Sequence, residues 1–171
     1  MDLGLSGKLA VITGASRGIG RAVAEVMAEE GCRLILTATN EKLLSELAAD
    51  LAARFGTDAR IFAADLADNA RQAALVALAG DEIDILVNNA ATYNGLRCHN
   101  TPEDLWDMVM DVNLKGAYLC TKRAIQQMLT QDIHSETRGR IVNISSQHGM
   151  VSAPSDFAYG VSKAGIVYMT R

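Results

Sequence analysis

Apolar positions come in short blocks separated by stretches with helical periodicity. The run Leu9-Ala10-Val11-Ile12-Thr13 has no polar break, which predicts a strand buried on both faces. A helical pattern follows, with Val23, Val26 and Met27 as its apolar face and Gly31 as a C-cap. Residues 34–38 predict a second strand. Asn40 is placed to cap a helix over Glu41–Phe55, where Leu43, Leu44, Leu47 and Leu51 recur at helical spacing. A third strand at 60–64, an alanine-rich helix at 68–79 and a fourth strand at 83–87 complete the next unit. After a polar connection at 91–101, Thr101-Pro102 predicts the N-cap and first position of a long helix reaching Gln131. Its apolar face is read as Leu105, Met108, Val109, Val112, Tyr118 and Ile125. A fifth strand at 140–145 leads to a last helix from Asp156, still helical in pattern at Arg171. Strand and helix thus alternate, which predicts an α/β fold. Its form is a doubly wound, Rossmann-type parallel sheet with helices on both faces and right-handed crossovers.

Composition narrows the class. The chain has 171 residues, 49% hydrophobic and 21% charged, the balance of one globular domain. Sixteen Lys and Arg against twenty Asp and Glu leave a net charge of −4, so no basic excess is available for a nucleic acid backbone. No apolar run approaches the ~20 residues that cross a bilayer, so no membrane partner is expected. Cys32, Cys98 and Cys120 lack metal-ligand spacing, as do His99 and His134, so no metal is assigned. The N-terminus lacks a secretory pattern, and a cytoplasmic location is expected.

The chemistry concentrates in two places. Gly14, Gly18 and Gly20 lie between the first strand and its helix, where glycine lets a pyrophosphate approach the backbone and the helix N-terminus offers free N–H groups. At the end of the second strand, Thr37-Ala38-Thr39-Asn40 contains no acidic residue to bond an adenosine ribose. Arg17 and Thr39 are placed to take a 2′-phosphate instead, which favours NADP(H) and leaves NAD(H) possible. Tyr159 and Lys163, four apart, share a helix face. A free phenol is a poor acid or base near neutrality, and a neighbouring ammonium favours its phenolate. Ser146, thirteen residues before Tyr159, sits where open α/β sheets bind ligands. His148 borders the same place and either bonds a polar substrate or faces water. Tyr93 and Asn94 carry the same two readings. Trp106, Met108 and Met110 read as packing.

Together these residues resemble the short-chain dehydrogenase/reductase family, of the kind that includes 3-oxoacyl-carrier-protein reductases and glucose dehydrogenases. The resemblance rests on residues 13–20, Asp65, Asn88-Asn89-Ala90, Asn113, Ser145-Ser146, and Tyr159 with Lys163. It implies that Tyr159 is the acid/base and that Lys163 tunes it and bonds the nicotinamide ribose. Ser146 polarises the substrate carbonyl and Asn113 holds a relay water. Gly14, Ser16, Arg17, Gly18, Ile19, Gly20, Thr39, Asp65, Leu66, Asn88, Ala90, Tyr159 and Lys163 are the implied cofactor contacts. The implied activity interconverts a small-molecule ketone and a secondary alcohol, in a homodimer or homotetramer.

Two departures stand out. Ala91 occupies a position where the family usually has glycine. Members also usually continue past this point through two more strands and a substrate-covering segment, so residues 1–171 are expected to be one dinucleotide-binding domain cut short at its C-terminus. A catalytically incomplete fragment, or a cofactor-binding protein without turnover, is the competing reading.

Overall fold

Each buried run of the sequence becomes a strand. In the computed structural model, which describes residues 3–133 and 136–171, the strands are β1 (Leu9–Thr13), β2 (Arg33–Ala38), β3 (Ala59–Ala63), β4 (Ile85–Asn88) and β5 (Arg140–Asn143). The helices are α1 (Gly18–Glu29), α2 (Glu41–Phe55), α3 (Asn69–Ala77), α4 (Glu103–Met110), α5 (Ala117–Met128) and α6 (Phe157–Met169). The strands form one parallel sheet in the order β3-β2-β1-β4-β5. The chain winds outward from β1 through β2 to β3, then crosses back to β4. The strand order therefore reverses between β1 and β4, and such a switch point opens a crevice at the carboxyl ends of the strands.

Alternate residues of β1 feed two cores. Ala10 and Ile12 pack with Leu34, Leu36, Ala24, Ala28 and the α2 leucines 44, 47 and 51 on one face. Leu9 and Val11 pack with Ile35, Leu75, Leu86, Cys120, Ala124 and Met128 on the other. All of β1 is buried, as a strand covered on both faces must be. Asn40 caps α2 as expected, its Oδ1 accepting from the Leu43 N–H at 3.0 Å, and Gly56 ends the helix in the left-handed region. No helix among the described residues is long and apolar enough to cross a membrane.

The expected long helix over 102–131 is interrupted. Residues Asp111–Gly116 form a wide π-type turn between α4 and α5. The helix also begins one residue later than expected: Pro102 takes the cap position without a side-chain bond, and the Thr101 hydroxyl donates to the Arg97 carbonyl instead. Of the predicted apolar face, Val109 is buried, but Met108, Tyr118 and Ile125 are exposed. The buried stripe is Val109, Asn113, Gly116, Ala117, Cys120, Ala124 and Met128. Mostly small side chains let this helix approach the sheet closely, so its larger apolar residues lie outside. The same holds in α1, where Gly20, Ala24 and Ala28 are buried and Val26 is exposed.

Candidate active site

At the carboxyl ends of β1 to β4 lies a cavity of about 560 Å³. Its walls include Gly14, Ser16, Arg17, Gly18, Ile19, Thr39, Asp65, Leu66 and Ala90. Its floor is held by a network joining β1 to β4. The Thr13 hydroxyl donates to the Val87 carbonyl and accepts from the N–H groups of Asn89 and Ala90, while the Asn89 amide donates to the carbonyls of Thr13 and Gly14. Gly14 has φ +66, and a Cβ there would sit 2.8 Å from the Ala90 Cα. A Cβ on Gly20 would lie 2.4 Å from the Gly14 carbonyl oxygen, so only glycine lets α1 start this close to β1.

The cavity suits a dinucleotide phosphate. No side chain caps the N-terminus of α1, so its first N–H groups face the loop without a side-chain partner. The Thr37 hydroxyl is buried in the cavity wall with no hydrogen-bond partner, as a group awaiting a ligand would be. Asp65 spends one carboxylate oxygen on the Ala67 N–H, which fixes the turn after β3. Asn88 and Gly20 are not in the wall. Asn88 is buried and donates to Thr121 and Asn143, and Asn89 takes the place facing the cavity. Gly20 packs against the loop behind.

The second cluster gathers on α6. Lys163 is buried, its Nζ 5.7 Å from the centroid of the Tyr159 ring and donating to the Ile144 carbonyl at 2.6 Å. Burial pulls the lysine below its ordinary pKa. The Ser145 hydroxyl donates to the Lys163 carbonyl, tying α6 to the end of β5. Asn113, buried in the wide turn, both accepts from the Thr92 N–H and donates to the Thr92 carbonyl. It also donates to Ser162, whose hydroxyl donates to the Tyr159 carbonyl. Asn113 is thus bonded to the helix that carries Tyr159 and Lys163, and the wide turn is what brings it there. Ser146 follows β5, its hydroxyl accepting from the His148 N–H at 3.1 Å.

A model of the short chain dehydrogenase family matches residues 8–171. The chain belongs to that family. Relatives of the chain include an uncharacterized oxidoreductase, YxbG, of Bacillus subtilis, 37% identical across 98% of the chain and 60% of the relative. Another is the 3-oxoacyl-[acyl-carrier-protein] reductase FabG of Staphylococcus aureus, 35% identical across 96% of the chain and 66% of the relative. The chain therefore spans about two thirds or less of these proteins. A metagenomic short-chain oxidoreductase solved in complex with NADP superposes with a TM-score of 0.88 at 36% identity, over 96% of this chain and 74% of that one.

One part of the candidate site escaped the sequence. Asp156, read only as the start of the last helix, is a buried carboxylate. Its carboxylate makes no capping bond to α6; one oxygen pairs with His148 Nδ1 and the other accepts from the Tyr93 hydroxyl at 2.8 Å. That bond pushes the Tyr93 phenol above its ordinary pKa. His148 is accordingly no free loop side chain. Beside Tyr93, both polar side-chain atoms of Asn94 are buried without a partner. Among the described residues no cluster of three or more His, Cys, Asp and Glu could hold a metal. His134 lies outside the described residues.

Proposed function

We propose that the protein is an NADP(H)-dependent oxidoreductase that interconverts a small-molecule ketone and a secondary alcohol. The observation that carries this reading is the buried Lys163 beside the Tyr159 ring, on a helix bonded to Asn113. A bound nicotinamide, held by the cavity residues, would supply the hydride chemistry: hydride to the carbonyl carbon in reduction, and from the alcohol carbon in oxidation. Tyr159 gives the substrate oxygen a proton in reduction and takes one from the alcohol in oxidation. The Lys163 ammonium stabilises the phenolate that proton loss leaves, and its bond to the Ile144 carbonyl fixes its direction. The Ser146 hydroxyl orients the carbonyl oxygen, and Asn113 keeps a water in line with Lys163.

NADP(H) is favoured over NAD(H). Arg17 lines the cavity, its guanidinium without a hydrogen-bonded partner among the described residues, and Thr39, just after β2, lines it too. Asn40, next to Thr39, is committed to capping α2. Residues 1–171 act as one dinucleotide-binding unit, and the exposed apolar residues Tyr118 and Ile125 of α5, with Leu129 just after it, suit packing against a second copy.

The test is a Tyr159→Phe variant of the protein as the cell makes it, assayed by NADPH consumption over a ketone panel and by fluorescence titration of NADPH and NADH. Turnover falls by about 10²- to 10⁴-fold, while NADPH binding is kept and remains tighter than NADH binding. Retained turnover in the variant rejects Tyr159 as the acid/base. Loss of cofactor binding would mean that the substitution acts on the fold.

A further inference from the structure

A buried carboxylate is costly unless each oxygen finds a donor. Asp156 finds two, and both belong to rings that flank the same side chain. Tyr93 meets the Tyr159 ring edge-on, centroids 5.4 Å apart at 87°. His148 meets it edge-on as well, at 6.3 Å and 87°. One carboxylate thus holds two aromatic walls around the proposed acid/base. The anchoring is doubled, since the Leu96 carbonyl of the Tyr93 loop accepts from the Phe157 N–H at the start of α6.

The two walls differ in what they leave free. The Tyr93 hydroxyl is committed to Asp156. His148 uses Nδ1 for Asp156 and its backbone N–H for Ser146, so Nε2 is the one hydrogen-bonding atom of its side chain without a partner among the described residues. The side chain is 30% exposed, so Nε2 belongs to a ring that is fixed yet still reachable. An imidazole fixed through one nitrogen presents the other in a defined direction. It does so two residues from the serine that orients the reacting oxygen.

Resting on the oxidoreductase reading, we infer that His148 is a substrate-contacting residue, held by Asp156, that selects ketones or alcohols bearing a second oxygen function near the reacting carbon. Asp156 is a positioning residue. The second oxygen belongs to a hydroxyl or a carboxylate, and the two arms of the test separate them.

The measurement compares kcat/KM for 5-hydroxypentan-2-one and 4-oxopentanoate with that for hexan-2-one, and for 4-hydroxybutan-2-one with pentan-2-one. Either the hydroxyl-bearing ketones or the carboxylate-bearing one is preferred over its apolar partner by about ten- to a hundred-fold, the range of one hydrogen bond to a fixed partner, and the preferred class names the second oxygen. His148→Ala brings each ratio to within about threefold without changing NADPH affinity. His148→Gln restores part of it. Asp156→Asn and Tyr93→Phe, the second removing a single bond, lower the ratio less than His148→Ala does. An equal loss on both members of each pair, or no preference in the unmodified protein, overturns the assignment. If no ketone turns over at all, the oxidoreductase reading fails separately. Ligand-observed NMR of the same pairs in the presence of NADPH then decides the His148 contact.

Discussion

Single side chains carry most of the chemistry, and their burial sets how they respond to pH. Cys120 is fully enclosed between α5 and the sheet, and desolvation pushes its thiol up to about 11 from an ordinary 9.0. An acid whose pKa is raised on folding favours the native state while it stays protonated. That contribution is complete below about pH 9 and is lost as pH rises towards 11, because the unfolded thiol ionises first. Denaturant midpoints at pH 8 and pH 10.5 should therefore show the unmodified protein losing about 2 kcal/mol more than Cys120→Ala. An identical loss in both would mean that solvent reaches the thiol. The pairing of Tyr159 with Lys163 was legible at this scale, because they stand four apart on one helix. Asp156 was not, because its meaning depends on Tyr93, 63 residues earlier.

Elements were legible where large apolar residues face the core. The four leucines at helical spacing predicted α2 well, and the structure buries three of them. The reading failed for α5 and partly for α1, where close approach to the sheet selects glycine, alanine and cysteine. Size and burial then run in opposite directions, and Tyr118 and Val26 face outward. The wide turn at Asp111–Gly116 was equally hidden, since one extra residue in a turn leaves no periodic trace. The contact between β1 and α1 gives a sharp test. Gly20→Ala places a methyl group against the Gly14 carbonyl and the Asn89 amide, both under 3 Å away. It should cost about 1–3 kcal/mol of stability and weaken NADPH binding more than tenfold by displacing the loop. Unaltered binding in a titration would show that the loop can shift without loss.

For the molecule as a whole, a sheet wound outward from β1 in two directions places the cofactor crevice between strands far apart in sequence. The order β3-β2-β1-β4-β5 was foreshadowed by the alternation of strand and helix, which predicts parallel strands but not which edge each occupies. The bonds from Asn89 to Thr13 span 76 residues. The phosphate loop is therefore not complete when β1 and α1 have formed; it waits for β4 to dock. This has a consequence for biosynthesis. A nascent chain released only as far as α3 can pair β1, β2 and β3, yet it lacks the side chain that fastens the glycine loop. Ribosome-bound chains of graded length should bind NADPH only after residue 90 has cleared the exit tunnel, and binding by shorter chains would place loop closure within the first three strands. Until β4 arrives, the newborn protein has a nucleotide-binding sequence but no nucleotide-binding site.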